Sequence, residues 1–246
     1  MDTYGFVSPT VNPTDAWPTS FGMPLCEVDS SGSLTVTMFN DKMLSALDKV
    51  ISLYDGQVGS LKMKDHAADM RRDARVNNMF LTNKAVFIPV YLDAARSAFA
   101  DIEYDYGMLP YPKYDEAQTD YYTHSRDSIS FFAYPITTPE SDYEYLGTIM
   151  EALNIESGRT VHPAFYDNAL KGRYSMDPNT AKMVDIIMDG ITFDFSYQYG
   201  ESHLFIPYMF RNCVTNGVNT LMTDYAAKRA QIEAGIEEVM SFYADK

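Results

Sequence analysis

The chain has 246 residues and a formal net charge of −15, and 46% of its residues are hydrophobic. That length holds one large or two small domains with a substantial core. The charge excludes a phosphate backbone or an anionic bilayer as the natural partner, since no Lys/Arg cluster offsets it, and its plain role is solubility.

Residues 1–39 read as irregular, with one short strand at 34–38. "NDKMLSALDKVISLYDG" predicts a helix with Asn40 as cap and Gly56 as stop. Its stripe is Met43, Leu44, Leu47, Val50, Ile51 and Tyr54. "DHAADMRRDARVNNMFLTNK" predicts a second, more polar helix ending near Asn83. "AVFIPVYL" is apolar and β-branched, so a buried strand is expected at 85–92, ending or bulging at Pro89. "DAARSAFADI" predicts a short helix capped by Asp93.

A strand is expected at 106–112. The stretch "DYGMLPYPKYDEAQTDYYT" is rich in tyrosine and proline and contains no valine or isoleucine. It reads as a loop, and rings on loops contact something. A further strand is expected at 128–136. Thr138, Pro139 and the acidic first turn predict a helix over 139–154 with the apolar set Tyr143, Leu146, Ile149, Met150 and Leu153. Helical character continues to a break at Pro163. Another helix starts from Asp177 and Pro178 and stops at Gly190. "ITFDFSYQYG" reads as extended, "LFIPYMFRNCV" as helical beyond Pro207, and the C-terminal stretch as one long helix. Its stripe is Leu221, Tyr225, Ile232, Ile236, Val239 and Tyr243. Strands alternating with helices over short connections define an α/β class.

Motif chemistry is sparse. The chain lacks a glycine-rich phosphate loop, G-x-S-x-G, H-E-x-x-H and C-x-x-C. Cys26 and Cys213 fit no metal spacing; they are two buried thiols or one long-range disulfide. The four histidines are scattered. Glu103 with Asp105, and Asp115 with Glu116, are the nearest approach to a glycosidase carboxylate pair. A chain this acidic supplies such pairs by chance, so solvated side chains are the plain reading. No cofactor is indicated. Trp17 stands in the polar loop "PTDAWPTS", where a core tryptophan is an equal alternative. Tyr91 ends a strand just before a helix cap, where α/β sheets tend to bind ligands. Rings beside Asp and Asn suit sugars: the ring covers the C–H face and the polar groups take the hydroxyls.

The order of segments carries a resemblance. "YGF", "DAWP", "LDKVISLYD", "FLTNKAVFIPVYL", the tyrosine-rich stretch, "SGRTVHPAFYDNALKGRYSMD" and "MVDIIMDGITFDF" follow one another along the chain. The patterns F-x-x-x-K-A-x-F and Y-G-x-L-P-Y-P-K-Y-D-E-A-Q are the most specific. From about Tyr4 to about Tyr243 the chain resembles the extracellular solute-binding proteins that deliver carbohydrates to ABC importers in Gram-positive bacteria. The resemblance implies a type II periplasmic-binding-protein fold, α/β in class. Residues 1–106 and 178–246 would form the C-terminal lobe, and residues 107–177 the return segment of the N-terminal lobe. Most of an N-terminal lobe would be missing.

By matching position, Trp17 would be a stacking platform and Asp15 a hydroxyl acceptor. Tyr91 and Asp93 would face the cleft, Tyr111 and Tyr114 would line it or pack on the absent lobe, and Tyr208 would add a ring. The implied partners are a carbohydrate or other small solute and an ABC permease. The implied location is extracellular, cell-surface associated and lipoprotein-like. The first eighteen residues have no basic segment, apolar core or cleavage site of a signal peptide. Taken alone they read as cytoplasmic, or as a cut from a longer chain. Two other classes stand beside this one: a glycan-active enzyme, and a ligand-free interaction module that dimerises through the face left by the missing lobe. A one-sided site would bind sugars weakly, with Trp17 and Tyr91 carrying what remains.

The motif survey generates one expectation about turnover. Incubation with a panel of oligosaccharides should release no product by chromatography; product that disappears on changing Asp105 or Glu116 would establish an enzyme instead.

Overall fold

Two segments far apart in sequence build the largest core. The computed structural model describes residues 3–9, 12–61, 73–126, 132–166 and 179–244. Chain order runs β1 (Tyr4–Phe6), α1 (Ala16–Ser20), β2 (Cys26–Val28), β3 (Leu34–Val36), α2 (Asp41–Ile51), α3 (Asp73–Leu81) and β4 (Ala85–Phe87). It continues through β5 (Thr123–His124), α4 (Tyr143–Glu156), α5 (Thr180–Asp189), β6 (Ile191–Thr192), α6 (Phe195–Gln198), α7 (Ile206–Asn216) and α8 (Leu221–Ala244). The class is mixed α/β. Each described sheet is a strand pair: β1 with β4 and β5 with β6 are parallel, while β2 and β3 form an antiparallel hairpin.

The helices follow their local chemistry. Asn40 caps α2, its Oδ1 accepting from the Met43 backbone N–H at 2.9 Å. Met43, Leu47 and Val50 are buried, and Tyr54 is buried in the π turn (Ser52–Gly56) that follows. Pro207 begins α7, and Gly217 ends it in the left-handed region at φ 67°. Leu221, Ile232 and Val239 bury one face of α8, while Tyr243 remains exposed. Together with Trp17, Phe21 and Leu25, these helices enclose Phe210, Cys213 and Val214. Cys26 and Cys213 are both buried free thiols. A second core gathers Val7, Val76, Phe80, Ala85 and Phe99.

Several elements differ from their sequence pattern. The strand expected at 85–92 is only three residues long. Val86 and Phe87 are 61% and 55% exposed, and among the described residues β4 has β1 as its one strand partner. Asp93 caps no helix. The chain there makes a 3-10 turn (Leu92–Ala95), and the Asp93 carboxylate instead takes Arg96 at 2.6 Å. Residues 106–112 form no strand, since Pro110 and Pro112 remove two ladder donors. "ITFDFSYQYG" pairs only at Ile191–Thr192 before Asp194 caps α6, accepting from the Ser196 N–H at 2.9 Å. The expected strand at 128–136 falls partly outside the described residues, and 132–135 carry none. Asp177 and Pro178 also lie outside them, as do His66 and all of 65–72, the first part of the expected second helix.

The expected helix at 139–154 forms as a 3-10 turn (Glu140–Asp142) leading into α4, and Thr138 does not cap it. No residue of α4 is buried, so its apolar stripe, including Tyr143, Ile149 and Leu153, meets solvent. No described helix is long and apolar enough to cross a membrane.

Two glycines on helices give opposite expectations. A Cβ on Gly235 of α8 would collide with the backbone carbonyl of His203, in the turn (Gly200–Leu204) that packs on that helix. Backbone cannot rotate aside as a side chain can. Gly235→Ala should therefore lower stability, by about 1–3 kcal/mol of overpacking against the roughly 1 kcal/mol that alanine restores to a helix. A Cβ on Gly147 of α4 meets open space, so Gly147→Ala should raise stability by up to about 1 kcal/mol. Urea midpoints check both, and equal signs would contradict the packing described.

Candidate functional site

The tyrosine-rich stretch 105–123 is drawn inward at several points. Tyr111 packs edge-on against Trp17, ring centres 5.0 Å apart, and its hydroxyl donates to the Pro13 carbonyl at 3.0 Å. Tyr114 leans on Phe21, and its hydroxyl donates to Ser45 Oγ at 3.2 Å. Tyr106 packs against Phe80 and Phe99 of the second core. Gln118 donates to the Ser20 carbonyl at 2.8 Å. The stretch is thus strapped over both cores, and a cavity of about 370 Å³ opens beneath it.

Three walls bound that cavity. Asn12, Pro13 and Ala16 form one. Residues just past the carboxyl end of β4, Ile88 to Leu92, form the second. The third comprises Tyr106 to Tyr111 with Tyr122 to Arg126, which includes β5 and the residues past its carboxyl end. Carboxyl ends of parallel strands are where α/β folds place ligands, because the connections there open a crevice. Most of the lining is apolar or aromatic. Its polar groups are Asn12, Thr123, His124, Ser125, Arg126 and the tyrosine hydroxyls. No Asp or Glu lines it among the described residues, although the chain carries 34 of them.

Of the residues nominated from sequence, Tyr91 and Tyr111 line the cavity. Tyr91 is 47% exposed, with the Arg126 guanidinium 5.6 Å from its ring centre. Burial raises its hydroxyl pKa, Arg126 lowers it, and the Asp15 charge raises it; the net shift is upward. Tyr111 is pushed up further, by burial first and then by Tyr54, Tyr91 and Asp15. Both rings stay protonated near neutrality and act as neutral hydrogen-bonding partners.

The structure places the others elsewhere. Trp17 is 5% exposed and lies in the core, its Nε1 donating to the Tyr54 hydroxyl at 3.1 Å. Asp15 is 2% exposed and lies behind the wall, forked by Arg211: Nε donates to Oδ1 at 2.9 Å and the second nitrogen to Oδ2. The Tyr197 hydroxyl donates to the Asp15 carbonyl at 3.1 Å. Tyr208 supports the same pair from below, with Arg211 4.6 Å from its ring centre. Asp93 holds Arg96 at the surface. Tyr114 sits under Lys49, 4.0 Å from its ring centre.

His124, Arg126, Tyr106 and Tyr122 line the cavity without having been nominated. The usable signal was "THSR", a polar tetrad with a histidine and an arginine directly after the ring-rich stretch. Among the described residues no group of His, Cys, Asp and Glu could hold a metal ion. No family model, no curated protein and no solved structure matches this chain.

The Asp15–Arg211 pair yields a stability contrast. Asp15→Ala leaves a guanidinium that is only 18% exposed without its carboxylate, which should cost about 3 kcal/mol. Asp93→Ala breaks a pair whose side chains are both more than half exposed, which should cost under about 1 kcal/mol. Chemical denaturation of the two variants measures the difference; comparable losses would show that Asp15 is not an interior anchor.

Proposed function

We propose that this chain binds a small extracellular solute in the cavity beside Tyr91, and that the solute is a carbohydrate handed to an ABC importer. The observation that carries the reading is the cavity itself. Its volume of about 370 Å³ falls in the range of small-molecule sites, about 300–1,000 Å³. Its aromatic lining offers flat faces to the C–H surface of a pyranose, and its scattered polar groups can meet hydroxyls. The resemblance to carbohydrate-binding proteins of importers supplies the substrate class and the permease partner.

In this reading the architecture is the two-lobed type II periplasmic-binding-protein arrangement. Residues 1–106 and 178–246 belong to one lobe and 107–177 to the other. The lining comes from both sides of residue 106, which supports a position at the cleft between them. Binding rather than turnover is the activity proposed: tyrosines and a guanidinium orient a ligand but supply no nucleophile of ordinary reactivity.

Calorimetry on the chain against neutral and acidic oligosaccharides tests the reading. Saturable heat is expected for at least one member. Tyr91→Ala should weaken that binding about tenfold, the equivalent of one ring contact. Trp17→Ala should act through stability, because that ring is sealed in the core. Absence of heat across the panel, or full affinity in Tyr91→Ala, would remove the assignment.

A further inference from the structure

The cavity joins two chemically different ends, and on the reading of it as a solute site they narrow the ligand. We propose that the ligand is an aryl glycoside, a sugar joined to a flat aromatic group. The sugar lies at the end marked by Tyr91 and Tyr111, and the aromatic group enters the apolar end.

The two ends border different cores. Tyr111 packs on Trp17, and the His124 ring lies 4.5 Å from that of Tyr197, so these lining residues belong beside the largest core. Tyr91 and Tyr111 are both within reach of the Asp15 charge. Here the lining gathers an amide, an imidazole and several hydroxyls, from Asn12, His124, Thr123 and the two tyrosines. Other lining residues border the smaller cores. Phe80 and Phe99 are members of the second core, and Ile88 packs against it. Ala95 forms a third, small core with Val184, and Leu92 and Met108 pack against that one. None of these six lining side chains carries a nitrogen or an oxygen. They come from α3, from the run after β4 and from the start of the tyrosine-rich stretch, so three separate segments meet to make the apolar end.

That division sets what each end can hold. A sugar hydroxyl pressed against the apolar end would give up water without gaining a partner, a penalty that the end near Tyr91 and Tyr111 avoids. An apolar group entering there is instead removed from water against matching surface. The arrangement of rings favours an aromatic one. Phe80, Phe99 and Tyr106 stand with their centres 5.0 to 6.3 Å apart, and no pair among them is parallel. Ring edges carry partial positive charge and suit the face of a further ring at such spacings. A bound aromatic group would extend this cluster and bridge the second core to the third.

The test is calorimetry on the chain with methyl, cyclohexyl and phenyl β-glycosides of glucose, galactose and xylose, and with free phenol. For at least one sugar, the phenyl glycoside is expected to bind at least about tenfold tighter than the methyl one. It should also bind tighter than the cyclohexyl glycoside, and with a more negative heat-capacity change than the methyl glycoside. Met108→Gln sets an amide at the apolar end and should weaken phenyl-glycoside binding more than methyl-glycoside binding. Circular dichroism checks that the variant folds; if it does not, the wild-type ratios and heat-capacity changes decide. Equal binding of phenyl and methyl glycosides, or an unchanged ratio in folded Met108→Gln, overturns the proposal and leaves solute binding standing. So does the failure of every glycoside while an unsubstituted oligosaccharide binds. Cyclohexyl glycosides that match the phenyl ones overturn the aromatic assignment, and phenol that binds as tightly as its glycosides overturns the sugar assignment. Binding of none of these compounds, with none across the oligosaccharide panel, overturns this proposal and the solute-binding reading together.

Discussion

The buried carboxylate of Asp15 is the constraint around which this molecule is arranged. An ionised group 2% exposed is tolerable only if its charge is matched and its lone pairs are used. Arg211 does both, through a two-nitrogen fork from α7, a helix nearly two hundred residues away in sequence. Tyr208 lies against the guanidinium, and Tyr197 takes the backbone carbonyl of the same aspartate. Burial and the Asp15 charge together push the Tyr197 hydroxyl pKa well up, so it remains a donor at any ordinary pH. Such a pair contributes less to net stability than its contacts suggest, because desolvation offsets much of the attraction. What it contributes is register: residue 15 has one place to go.

That placement propagates. With Asp15 held, Trp17 enters the core and donates to Tyr54, and Pro13 offers its carbonyl to Tyr111. Tyr111 then draws the tyrosine-rich stretch over the cavity, with Tyr106 and Gln118 fastening other points of it. Asn12, Pro13 and Ala16, the neighbours of the anchored aspartate, become one wall of the cavity. The wall of the candidate site is therefore only as fixed as a buried ion pair that the ligand itself need not touch.

Helices were legible because their signals are local. Asn40 as a cap and Pro207 at the start of a helix each act within a few residues, and both formed as read. Strands were less legible. A run such as "AVFIPVYL" is β-prone, but its length as a strand depends on how many partners arrive, and among the described residues only β1 does. The site divided in the same way. Tyr91 was recognisable because it closes a β-prone run just before a turn, which is a local property of the sequence. Arg126 was not, because its place in the cavity wall comes from the ring it lies beside, far from it in sequence. Trp17 was noticed as the only tryptophan, standing in a polar loop, and Asp15 only through the resemblance. Whether an unusual residue faces a ligand or a core depends on a partner, Arg211 or Tyr54, that periodicity cannot supply.

Among the described residues, two arginines that stand over tyrosines sit in contrasting settings. Arg211 and Tyr208 make one such pair, Arg126 and Tyr91 the other. Arg211 is mostly buried, and its fork is taken by an interior carboxylate; that engagement raises its pKa although burial alone would lower it. Its hydrogen-bonding capacity toward Asp15 is spent before any ligand arrives. Arg126 lies instead in the wall of a cavity, among apolar and aromatic residues of the described lining. The same residue type on the same kind of ring thus stands in two settings, one interior and one in a cavity wall. Where a carboxylate from the chain completes the fork, the arginine locks the fold.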